Sequence, residues 1–299
     1  MGKTTKVWLV IAASLVLIGI LFIGVMRHLE WDFSKLSTSE YETNHYEISQ
    51  SVHNISIETD TADVTFAISN NGKCRVECYE EIKAKHSVSV ENSTLNIKLI
   101  NKKAWYDYIG IHFSSPKIKI YLPKTQYSAL SLRGSTGKVE LPNSFQFASV
   151  EILLSTGNVN VSASATGSMK IKTSTGNIRV QNVSADNLDL RVSTGKTFLD
   201  NVTCNRLVSE GDTGDITLNN VVVTEKMKIE RSTGDVKFTN SDAAEIYVET
   251  DTGDITGSLL SDKVFIVETD TGRVNVPKST TGGRCEIETD TGDIEITVK

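Results

Sequence analysis

Four Asp-Thr-Gly triplets, beginning at Asp212, Asp251, Asp270 and Asp290, carry the signature of an aspartic protease. That chemistry needs two such loops facing each other so that two carboxylates share one proton. Here the triplet recurs at regular intervals and Ser replaces Asp in five further copies, so the carboxylate reads as a polar brace for a turn. Ser135 with Lys138, and Ser193 with Lys196, satisfy Ser-x-x-Lys, but that nucleophile belongs at a helix start and these lie in β-turns. Gly195-Lys196-Thr197 lacks the upstream glycine of a phosphate-binding loop. His28, His45, His53, His86 and His112 all precede the regular array, which leaves it without the usual neutral-pH base. The chain reads as noncatalytic, with carboxylate-based action on a polysaccharide as the enzymatic alternative, and no organic cofactor is expected.

Two residue sets point to binding instead. Residues 205–299 hold 19 acidic against 10 basic residues, a balance of −9 that leaves +3 for the rest of a chain whose net charge is −6. The position four before each repeated Gly runs Arg133, Leu153, Lys172 and Arg191, then Glu210, Glu230, Glu249, Glu268 and Glu288. Stacked at about 4.8 Å, like charges repel and favour a bound cation or a basic partner. Glu210, Asp212, Asp215, Glu249, Asp251 and Asp254 are accordingly expected to form a face that binds Ca²⁺ or another cation weakly, although the Gly-Gly-x-Gly-x-Asp nonapeptide of known Ca²⁺ solenoids is missing. An acidic surface of this kind repels phosphate backbones and excludes nucleic acid as a partner. The second set is aromatic. Trp105, Tyr106, Tyr108 and Phe113 form a run that either plugs the end of a core or contacts a partner.

What must position these residues is a repeat. Thr-Gly pairs end at Gly137, Gly157, Gly176, Gly195, Gly214, Gly234, Gly253, Gly272 and Gly292, with gaps of 19 or 20. A fixed period means one structural unit stacked on its copies. Alternating apolar pairs flank each turn, such as Leu188 and Leu190 before Gly195 and Ile216 and Leu218 after Gly214, and such alternation means strands. The Gly marks one corner. Asn143, Asn182, Asn201, Asn220 and Asn240, six residues after it, predict a second corner with stacked amides. An earlier copy at Ile55–Phe66 carries Ala62 in the place of Gly, and the insertion after it has strand-like runs at residues 73–80, 93–100 and 117–123. The expected fold is all-β: a parallel β-solenoid, right-handed by the crossover rule, with 19–20-residue rungs and an antiparallel β cap. Nine or ten rungs would span about 45 Å, with the open edge at the chain's last strand.

Residues 7–26 are 20 residues without a charge, enough to cross about 30 Å of hydrocarbon at about 1.5 Å per residue. A cleaved signal peptide is the rival reading, but the run exceeds a usual signal core and no small-residue cleavage site follows Met26. Lys3 and Lys6 precede the run, so the positive-inside bias puts the N-terminus in the cytoplasm and the bulk outside the cell. The resulting division is a stub at 1–6, the membrane span at 7–26, a connector at 27–45, the first rung with its cap insertion at 46–128 and the solenoid at 129–299. Cys74 and Cys78, four apart in a strand, are about 13 Å from each other and too distant for a mutual disulfide. Cys285 stands in a column of Leu, Val, Ile, Met and Phe and reads as a buried apolar residue.

The segments STGNVNV, STGNIRV, DTGDITL and DTGDIEI, with the ETDTADVTF rung and the KIKIYLP strand, resemble the bacterial putative-adhesin β-strand-repeat domain of unknown function, as in LiaG-like membrane-anchored proteins. The resemblance covers roughly residues 45–299. It implies a β-solenoid of the Gram-positive envelope, associated with envelope stress, and supplies no catalytic residue. The function expected is an interaction scaffold that meets an envelope protein or a wall glycan, with self-association as a structural element the alternative.

Overall fold

The computed structural model describes residues 2–31, 39–108 and 114–299. The helix Lys3–His28 contains the uncharged run and leaves nearly all of its side chains exposed. Its apolar residues cover every face, as a helix solvated by lipid requires and an amphipathic surface helix does not. At about 1.5 Å per residue it is long enough to span a bilayer.

The rest is a β-solenoid of about eight turns. Like residues stack in register from coil to coil: Leu130, Val150 and Met169 form one inward column, and Leu132, Ile152 and Ile171 the next. Further along, Leu188, Leu207, Met227 and Ile246 continue the first. Alternate residues point inward, so both strands of each turn feed one apolar core running from Ile48 to Ile296. Each buried Leu or Ile contributes roughly 2 kcal/mol of transfer free energy.

The two corners follow from local chemistry. At the first, Gly157 has φ 140°, and a Cβ there would lie 1.8 Å from the Gly137 carbonyl oxygen. Each coil sits so close to its neighbour at this point that only Gly fits. The Thr173 and Thr289 hydroxyls donate to the carbonyls of Gly157 and Gly253 at 3.1 and 3.2 Å, tying coil to coil beside the corner. At the second, Asn182, Asn201, Asn220 and Asn240 adopt φ of 50–55°. Their amides form a ladder, Asn201 to Asn182 at 3.2 Å, Asn220 to Asn201 at 3.1 Å and Asn240 to Asn220 at 3.3 Å. The extra residue in the 20-residue gap between Gly214 and Gly234 is absorbed as a bulge, where the register shifts between Cys204 and Arg206.

At both ends, spatial order departs from chain order. Near the N-terminus, the coil Asn54–Glu58 with Asp63–Ile68 lies inside the insertion's strands Thr94–Asn101 and Lys117–Leu122, which extend the parallel stack by one layer. Cys74–Glu81 then pairs antiparallel with Lys117–Leu122, Ala84–Glu91 with Thr94–Asn101, and Tyr41–Ile48 with Cys74–Glu81. The last of these begins within the stretch read as a connector. At the other end, the chain's last coil, Gly283–Thr291 with Ile294–Val298, is inserted between the coil ending at Leu259 and the coil Lys263–Thr271. The open edge is therefore Lys263–Thr271 and not the last strand. Gly282 and Gly283 admit this insertion, because Cβ atoms there would meet the carbonyls of Asp262 and Ala244, each at 1.8 Å. The nine or ten copies therefore do not run on as one continuous coil, because at the ends the chain does not advance copy by copy.

Cys74, Cys78, Cys204 and Cys285 are all free and buried, and burial pushes each thiol up to about 12.

Candidate binding site at an exposed aromatic turn

After the strand Thr94–Asn101 the chain makes a single 3₁₀ turn, Trp105–Tyr108. Trp105, Tyr106 and Tyr108 are 77 %, 58 % and 55 % exposed. They plug nothing. Phe113, grouped with them by sequence, lies outside the described residues.

The turn is rigidly braced. Asp107 accepts from the Ala104 N–H at 2.9 Å and pairs with Lys83 Nζ at 2.5 Å, and this lysine, with the backbone bond, holds the Asp107 carboxyl below its usual range. The Asn101 side chain accepts from the Lys103 N–H at 2.9 Å and donates to the Tyr108 hydroxyl at 2.7 Å. Lys83 lies 5.8 Å from the Tyr106 ring centre and Lys103 5.3 Å from that of Tyr108, while Trp105 packs edge-on to Tyr106 at 5.9 Å.

Beneath the turn, Lys103 and Glu81 form a largely buried ion pair at 2.5 Å. Both line a cleft of about 360 Å³ with Glu40, Tyr106 and Asp107, and a second of about 490 Å³ with Tyr41, Asn101 and Tyr108. Tyr41 stacks on Tyr79 at 5.1 Å, and burial, with Glu81 beside it, pushes its hydroxyl up to about 12. Flat rings held over polar clefts suit a ligand with both an apolar face and hydroxyls.

The six acidic residues expected to form a cation face do not converge as a set. Glu210 and Glu249 are two coils apart, with Glu230 between them. Asp215 and Asp254 belong to a backbone ladder: Asp215 accepts the Asp235 N–H at 3.2 Å, and Asp254 that of Asp293 at 2.8 Å. Asn158 and Asn177 play the same part in the basic half, which explains why Asn there and Asp later occupy the position after the Gly. Asp212 and Asp251 are exposed. The carboxylates that do stack are Glu210, Glu230, Glu249, Glu288 and Glu268, one on each of five adjacent coils, and desolvation, with Glu249 and Glu268 on either side, raises the Glu288 carboxyl. The change of sign along the array is stitched by ion pairs, Arg191–Glu210 at 3.1 Å and Lys196–Asp215 at 2.7 Å.

Sequence reasoning missed a buried polar chain. His86 Nδ1 and its N–H meet Glu80 Oε2 at 2.7 and 2.6 Å, Asn44 donates to Glu80 Oε1 at 2.8 Å, and His86 Nε2 lies 2.9 Å from the Thr59 hydroxyl. Cys78, Glu80 and His86 are the one group of three potential metal ligands drawn together among the described residues. The side chains of Glu80 and His86 already have hydrogen-bond partners there, so the chain clasps Ala84–Glu91 to Cys74–Glu81 and to the first rung. The signal was present, since Glu80 stands in the inward phase of an alternating strand, where a carboxylate requires a partner.

Residues 52–297 match the Toastrack DUF4097 family. Three solved structures share the fold. A putative adhesin from Bacteroides fragilis NCTC 9343 is 16 % identical with a TM-score of 0.53, over 87 % of this chain and 99 % of that one. Putative adhesins from Parabacteroides distasonis ATCC 8503 and Parabacteroides merdae ATCC 43184 are each 13 % identical, with TM-scores of 0.56 and 0.53, over 87 % of this chain and 98 % of theirs. No curated protein matches the sequence. At these identities the solved structures speak for the fold, and the family match covers most of the sequence: the chain belongs to the Toastrack DUF4097 family.

Proposed function

We propose that this protein is a noncatalytic, adhesin-like scaffold, tethered to the cell membrane by its N-terminal helix with the N-terminus cytoplasmic and the solenoid outside the cell, which contacts a wall glycan through the turn Trp105–Tyr108. The observation that carries the reading is the exposure of three aromatic rings on a turn held by an ion pair and four hydrogen bonds. Rings buried to plug a core would be covered, whereas rings kept open at the cost of solvation are a contact surface. Trp105→Ala is expected to abolish retention of the full-length protein on purified cell-wall glycan while its melting temperature moves by less than about 2 °C, as for a surface substitution. Loss of melting temperature by about 10 °C would identify a structural plug, and unchanged retention would remove the site.

The acidic columns support a second, weaker reading as a cation face, centred on Glu249, Glu288 and Glu268 rather than on the six residues first expected. The raised Glu288 carboxyl favours it. Millimolar Ca²⁺ should raise the melting temperature by a degree or two and release heat on titration; neither effect would appear if the face were merely solvated.

A further inference from the structure

The two ends of the solenoid are finished differently. At the N-terminal end, Ala84–Glu91 and Cys74–Glu81 cover the outermost parallel layer, and the outer strand Tyr41–Ile48 carries Glu42, His45 and Glu47. Charged residues on an edge strand discourage pairing with another chain. At the other end, Lys263–Thr271 pairs with Gly283–Thr291 on one side, and among the described residues nothing pairs with its other edge. Its inward residues Phe265 and Val267 are half-buried, whereas Cys285 and Ile287, their neighbours in the next coil, are fully buried. Val274, an inward residue, is 46 % exposed, and its partner Ile294 is buried. Val264 and Ile266, 37 % and 48 % exposed, stand outward where the next coil carries Arg284 and Glu286. The last layer therefore combines an unpaired backbone edge, an uncovered core section and an apolar outer face.

We propose that this layer docks a second copy of the chain, edge to edge and antiparallel, as a closed two-fold dimer. A filament would need the opposite end to accept the edge, and antiparallel, charge-bearing strands occupy that end. Parallel stacking on the same edge would extend the column Glu210, Glu230, Glu249, Glu288 and Glu268 with a sixth carboxylate. A two-fold axis at Ile266 instead sets Ile266 beside its own copy and Glu268 beside Val264, which removes the like-charge contact and brings the two Ile266 side chains together. One coil's edge is smaller than a standard interface of about 1,600 Å², so the dimer is weak in solution and is helped by confinement on a membrane. This surface is separate from the aromatic turn, so its test is independent of glycan binding.

Sedimentation of the full-length protein in detergent should show a concentration-dependent monomer–dimer equilibrium that Val264→Lys with Ile266→Lys abolishes, the melting temperature staying within a few degrees because both side chains are exposed. All four native cysteines are buried, so Ile266→Cys in isolated membranes should give a covalent dimer on mild oxidation, while Ser87→Cys, exposed at the opposite end, should not. A monomer at every concentration, dimerisation of the lysine variant, or equal crosslinking from Ser87→Cys would overturn the proposal.

Discussion

Gly195→Ala is expected to lower the melting temperature by about 10–20 °C, whereas Thr194→Ala, one residue earlier on the same turn, should shift it by no more than about 2 °C. Gly195 has φ 145°, a conformation that costs a residue with a Cβ about 1–3 kcal/mol. The added carbon would also lie 2.0 Å from the Gly176 carbonyl oxygen, so one coil must move away from the next. That movement breaks the hydrogen bond from the Gly176 N–H to the Thr194 carbonyl at 2.9 Å and disturbs the ladder on both sides. The combined loss is about 5 kcal/mol, since the clash is with backbone and no rotamer can relieve it. Thr194 is exposed, and its replacement leaves the corner intact. Thermal melts followed by far-ultraviolet dichroism would measure both variants. A Gly195→Ala protein melting within 2 °C of wild type would mean that the corners do not stack as closely as the ladder requires.

The same ladder explains how much of the fold was legible. Gly and Asn recur at fixed offsets because each is a backbone requirement repeated in every coil, and an inward column is a requirement of the shared core. Such constraints are local to the period and show directly in the residues. The order of coils at the ends is not local. Gly283–Thr291 keeps a complete inward set, Cys285 and Ile287, just as a terminal coil would. Only the Gly282–Gly283 pair and the apolar outward residues Val264 and Ile266 mark which coil lies outside, and both read as ordinary repeat variation until the pairing is known. For the aromatic turn, sequence located the residues but not their exposure, because plug and contact surface demand the same side chains. The acidic face failed as a set for a different reason. Residues 39 apart in the chain are two coils apart in space, and Asp215 and Asp254 were already occupied as acceptors for backbone N–H groups.

Arg231→Ala should destabilise the protein by about 3 kcal/mol or more, whereas Arg231→Thr combined with two neighbouring substitutions should keep stability at or above the native value. Arg231 occupies a buried position three residues before Gly234, where the coils on other turns carry Thr173, Thr250 and Thr289. Its guanidinium fills the space above Gly211, where a Cβ would meet Nη1 at 2.8 Å. Nη1 donates to the carbonyls of Ser209 and Glu230 at 3.2 and 2.9 Å, and Nη2 to the hydroxyls of Ser209 and Thr197 at 2.8 and 3.3 Å. Among the described residues no carboxylate pairs with it, and burial pulls its pKa down to about 10. A desolvated cation satisfied by neutral acceptors contributes little net stability, yet truncating it opens a cavity and strands the Ser209 and Thr197 hydroxyls in the core. Those two residues are themselves polar exceptions in apolar columns, since Ser209 stacks between Leu190 and Ile229, and Thr197 between Ile178 and Ile216. Thr197→Val, Ser209→Val and Arg231→Thr together convert the inclusion to the pattern of its neighbours. The three sites form one network, so their effects are non-additive and the triple variant should melt at or above wild type while Arg231→Ala melts well below it. Three independent, additive losses would show instead that Arg231 is held by something other than this shared polar pocket.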